Sequence, residues 1–106
     1  MTGLTVLSRE EQTVRVALED RQLVQGLGDL RWRLPRLVAG GADTLVIDLS
    51  GIDRLSSGSI ATLLWVKRTC AARRIRVVLS SPSARTLDLL TRTGLTNVLE
   101  IESRVS

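Results

Sequence analysis

The chemistry open to this chain is concentrated in one short stretch. Ser56-Ser57-Gly58 directly precedes a long apolar-rich segment, and two carboxylates, Asp48 and Asp53, stand just ahead of it. Hydroxyls at the start of a helix accept hydrogen bonds from backbone N–H groups that lack a partner within the helix. The same amides, with the positive end of the helix dipole, favour an anion. A phosphoryl group, bound or carried covalently on a serine, would find donors there. The plain reading of Ser56 and Ser57 is ordinary helix capping, and that of Asp48 is a strand-end residue satisfying loop amides. The functional alternative for Asp48 is a contact that orients a partner's phosphate or Mg²⁺.

Composition removes most other chemistries. The chain has no histidine and one cysteine, Cys70. An internal disulfide is therefore excluded, a structural zinc site is disfavoured, and the usual general base of hydrolases is missing. An all-carboxylate Mg²⁺ site has no spaced motif behind it, so no metal or cofactor is expected. Gly51 and Gly58 do not form a phosphate-binding loop, since no lysine follows Gly58 and the spacing is wrong. Catalysis by this chain is not expected.

The net charge is +4, and 14 of the 15 basic residues are arginine. No acidic residue falls between Asp53 and Asp88, whereas Arg54, Lys67, Arg68, Arg73, Arg74, Arg76 and Arg85 all do. A nucleic-acid surface is one reading of that stretch. Solvation of helix faces is preferred, because no aromatic interleaving accompanies the charge.

These residues need a scaffold, and its elements are legible. Leu4–Leu7 and Thr13–Glu19 read as two strands joined by a tight turn, with Val14, Val16 and Leu18 on one face. From Leu23 the apolar period lengthens: Leu23, Leu27, Leu30, Leu34, Leu37 and Val38 share one side of a helix, which Pro35 should bend and Gly40-Gly41 should end. Leu45–Leu49 is an apolar strand. A helix from about Ser57 to Arg73 follows, with Ile60, Leu63, Leu64, Val66, Cys70 and Ala71 as its buried stripe and the Lys67 stem along the core edge. Ile75–Leu79 is another strand. Ala84–Arg92 is a short helix with Leu87 and Leu90 inward and Gly94 as its stop, and Val98–Ile101 is a last strand. The order β-β-α-β-α-β-α-β implies a single α/β domain over residues 1–106, with a mostly parallel central sheet of about five strands and helices packed on it. At 106 residues such a domain removes roughly two-thirds of its unfolded surface from water. No apolar run approaches the ~18 residues needed to span a bilayer. With no charged-then-apolar leader, a cytoplasmic location without membrane insertion is expected.

In this order, Val46-Ile47-Asp48-Leu49-Ser50-Gly51, then Leu55-Ser56-Ser57-Gly58, then Leu87 to Leu95 (LDLLTRTGL) resemble a known pattern. It is that of the STAS domain, and within it the stand-alone anti-sigma factor antagonists of bacteria. The resemblance covers nearly the full chain and departs at Leu55, where an aspartate is usual. It implies a non-enzymatic regulator of transcription that binds an anti-sigma factor serine kinase and is switched by phosphorylation of the first loop serine. That acceptor would be Ser56, with Ser57 as the second choice. The partner surface would take in Asp48, Asp53, Arg54, Ser57 and Gly58, then Ala61, Trp65 and Arg68 on the following helix. Trp65 lies off the apolar stripe and is expected to be largely exposed, as an interface anchor. Packing under the N-terminal strands, or a homodimer contact, is its alternative use. Trp32 also lies off its helix's apolar face and is expected to be partly covered by a loop. Two other functions stand beside this one. The chain could be the STAS subunit of an ABC or anion transporter, an unphosphorylated scaffold on a nucleotide-binding subunit. It could also be a basic nucleic-acid-associated protein.

Overall fold

Alternation of apolar and polar residues along Thr13–Glu19, and the near-continuous apolar run within Thr44–Gly51, set the sheet that organises the molecule. The computed structural model describes residues 4–10, 12–19, 28, 30, 32–36, 39–53 and 55–102. In chain order the elements are β1 (Leu4–Glu10), β2 (Thr13–Glu19), a helix α1 seen at residues 28, 30 and 32–36, β3 (Thr44–Gly51), α2 (Ser57–Ala72), β4 (Arg76–Ser80), α3 (Ala84–Arg92), a 3-10 turn at Leu95–Asn97, and β5 (Glu100–Glu102). The five strands lie side by side in sequence order. β1 runs antiparallel to β2, and β2, β3, β4 and β5 are mutually parallel. The expected element order and mostly parallel sheet are both present.

A sequential strand order with right-handed crossovers puts every crossover helix on the same side of the sheet. The core agrees. Val14, Val16 and Leu18 of β2, Leu45, Ile47 and Leu49 of β3, and Val77 and Leu79 of β4 are buried in one cluster with helix residues. Those are Leu30 and Leu34 from α1, Leu63, Val66 and Cys70 from α2, and Leu90 from α3. Val46 and Val78 are register partners on the opposite face and stand outside that cluster. There the Arg76 guanidinium forms a two-pronged ion pair with Glu100, tying β4 to the edge strand. That pairing holds the Glu100 carboxyl below the usual carboxylate range.

Three details depart from the sequence reading. The buried line of α2 is Ser59, Leu63, Val66 and Cys70. Ala71, expected inward, is exposed, because burying Ser59 turns the stripe away from it. In α3 the fully buried residues are Thr86 and Leu90, while Leu87 is only half-buried. Trp32 is 85% exposed, so the loop cover expected for it is absent among the described residues. Leu23, Leu27, Leu37 and Val38 lie outside the described residues.

Candidate functional site

The parallel strands deliver their C-terminal ends to one edge of the sheet, where Asp48 is in register with Ser80 and Ser80 with Glu102. Loops leaving that edge carry ligands and partners in open α/β sheets, because helix N-termini gather there. The loop from β3 to α2 is pinned inward at two points. Ile52 is buried and its N–H donates to the Leu49 carbonyl at 3.0 Å. Leu55 is 4% exposed and belongs to the core. Between them Asp53 stays outside. Its backbone carbonyl accepts the Ser83 hydroxyl at 2.7 Å, and its carboxylate meets Arg85 at 3.3 Å. The loop is thereby fastened to the start of α3.

Anchoring Leu55 leaves its successors facing water: Ser56, Ser57 and Gly58 are all exposed. Ser56 is the N-cap of α2, extended at φ −87 and ψ 168. Its Oγ accepts the Ser59 N–H at 3.1 Å and lies 2.8 Å from the Ser59 hydroxyl. Ser59 is a residue that sequence reasoning missed, and it is buried beneath the cap. Its place three residues after a capping serine was the available signal. A Cβ on Gly58 would meet only the Ser56 Oγ, at 3.9 Å, an ordinary contact. The first turn of α2 has no acidic residue, leaving its positive dipole end unneutralised by the helix itself. An oxyanion on Ser56 would face backbone donors and no fixed negative charge within that turn.

The remaining expected site residues divide. Asp48 uses one carboxylate oxygen to accept the Ser50 N–H at 2.8 Å, the local role of a strand-end aspartate. Ser57, Ala61, Trp65 and Arg68 follow one another along the outward side of α2 at steps of four, four and three, with Ala61 and Arg68 exposed. Trp65 corrects the expectation: it is half-buried and packs against the core. An indole on the flank of the buried stripe is long enough to reach back over it. Arg54 lies outside the described residues. Among the described residues no three carboxylates or thiols converge into a metal-holding group.

The family model described as Mlab, STAS domain, matches residues 5–100. Among solved structures, the NMR structure of the protein TM1081 superposes with a TM-score of 0.78 at 14% identity, over 97% of this chain and 81% of that one. The crystal structure of the same protein from Thermotoga maritima, described as a candidate anti-sigma factor antagonist, gives 0.75 at 14% identity, over 92% and 85%. A serine-to-glutamate variant of Moorella thermoacetica RsbS gives 0.75 at 19% identity, over 92% and 87%. At these identities the structural likeness is one of fold. The comparison with curated proteins gives no match.

Proposed function

The chain belongs to the STAS domain family, and from that premise we propose that it is an anti-sigma factor antagonist: a non-enzymatic docking module switched by phosphorylation of Ser56. The observation that carries this reading is the exposed Ser56 at the N-cap of α2, directly after the buried Leu55, with its hydroxyl over the Ser59 backbone N–H. Its partner is a serine-kinase anti-sigma factor in the cytoplasm, which meets Ser56, Ser57, Gly58 and Asp53 and continues along Ala61, Trp65 and Arg68. In the transfer, the Ser56 Oγ forms a bond to the γ-phosphorus of the kinase's ATP, the bond to ADP breaks, and the hydroxyl proton leaves to a base on the kinase. The product adds roughly two negative charges to the centre of the interface. Desolvating that phosphate disfavours the docked state and releases the partner. Among the described residues no helix is long and apolar enough to cross a membrane.

Affinity for the candidate kinase tests the switch. Ser56→Ala should bind as the unmodified chain does, and Ser56→Asp should bind at least tenfold more weakly. Equal affinities for the two variants would remove Ser56 from the mechanism.

One observation favours a second reading. Leu55 occupies the core at the position where the resembled antagonists carry an aspartate. A loop without that carboxylate suits an unphosphorylated scaffold docked on the nucleotide-binding subunit of a transporter. In that case no loop serine takes up phosphate from a kinase, and Ser56→Asp leaves subunit binding within about twofold.

A further inference from the structure

Beyond the serine loop, the side of α2 turned toward the 3-10 turn carries a groove of about 420 Å³. Ala61, Leu64, Lys67, Arg68 and Ala71 line it from the helix, and Val98 closes the opposite wall. From Ala61 to Ala71 it runs about 15 Å, three turns of helix. Its floor is apolar: Leu64 packs against the core, and Val98 is 49% exposed across from it. Its rim is cationic. Arg68 is exposed, Lys67 half-buried, and neither enters an ion pair among the described residues. α2 has no acidic residue anywhere along its length, and Arg73 and Arg74 extend the same charge past its end. Glu100 is ion-paired to Arg76 and is close enough to Lys67 for that charge to help lower its carboxyl, in second place to Arg76, while Arg68 carries no ion pair among the described residues.

We propose that this groove receives an amphipathic helix of the partner protein, with aliphatic residues on its buried side and carboxylates flanking them. The inference rests on the reading that α2 faces the partner, and names what the partner brings to it. An apolar floor three turns long fits side chains at i, i+3 or i+4, and i+7 of a helix lying in it. Lys67 and Arg68 are complementary to carboxylates on that helix and repel basic alternatives. A phosphate backbone would satisfy the cations but leave Leu64 and Val98 uncovered.

The test needs no identified partner. A designed helical peptide of leucine, alanine and glutamate is titrated into the ¹⁵N-labelled chain, beside a control with lysine in place of every glutamate. The glutamate peptide should shift the amide signals of Ala61, Leu64, Lys67, Arg68, Ala71 and Val98, and the lysine peptide should leave them in place. Lys67→Glu with Arg68→Glu should invert that preference, changing each affinity about tenfold. Ala71→Glu, at an exposed position that keeps the fold, should weaken the glutamate peptide similarly. Shifts centred elsewhere, equal binding of both peptides, binding of neither, or displacement by random duplex DNA would each overturn the proposal. So would self-association through the groove in the absence of peptide. Ser56→Asp separates the two readings: it should release the kinase yet leave the glutamate peptide bound. Loss of only the first effect sinks the phosphoswitch, and loss of peptide binding in that variant sinks an independent groove.

Discussion

At the scale of single residues, function here depends on neighbours having opposite environments. Leu55 is sunk in the core and Ser56, one peptide bond later, stands in water. The side chain that fixes the loop is thus not the one that would be modified. Putting back the aspartate typical of the resembled antagonists therefore has a cost particular to this chain. Leu55→Asp removes a packed aliphatic side chain and places a carboxyl in the apolar core cluster, with an expected loss of about 3 kcal/mol or more in the urea unfolding free energy. An unchanged unfolding midpoint would mean that the loop can turn residue 55 outward, and the anchoring role given to Leu55 would be wrong. Both serines could be located by type and spacing alone. Ser59 could not be assigned its place under them, since a serine reads as polar surface until the helix is seated on the sheet.

At the scale of elements, α2 and α3 both begin on a serine cap but differ in the residue that stops them. At the C-terminus of α2 the Ile75 N–H donates to the Cys70 carbonyl at 2.8 Å and the Arg74 N–H to Ala71 at 3.0 Å, the paired bonds of a left-handed helix stop. That stop requires a positive φ, and Arg74 supplies it at φ 60, whereas α3 ends with Gly94 at φ 76. A Cβ in the left-handed region is strained by roughly 1 kcal/mol. Arg74→Gly is accordingly expected to stabilise the chain by about 0.5–1 kcal/mol, raising the thermal midpoint by a few degrees. No change or a fall would show that the arginine side chain makes up for its backbone strain. The stop at Gly94 could be foreseen because glycine announces a left-handed cap. The one at Arg74 could not, because arginine does not.

For the molecule as a whole, one cluster shared by β2, β3, β4 and all three helices makes local opening at its centre equivalent to unfolding. Cys70 reports on this. Burial pushes its thiol up from the ordinary value, and the nearby Arg73 opposes that only in second place. The folded chain therefore keeps its proton at a pH where the unfolded chain has lost it. Stability should fall as pH rises past the ordinary thiol range, and Cys70→Ala should flatten that fall. In neutral buffer a thiol reagent should label Cys70 no faster than the chain unfolds globally, and faster labelling would reveal a local opening of α2. The sequence by itself determined the element order, the parallel sheet and the family, because hydrophobic period and turn chemistry are local and repeat along the chain. It also located the hydroxyl-bearing helix start. Only the tertiary structure decided that Leu55 points in while Ser56 points out, that Trp65 leans on the core while Trp32 does not, and that Val98 faces α2 across a groove. Each of those depends on how far a helix is rotated against the sheet, a quantity set by packing between distant segments and carried by no single stretch of residues.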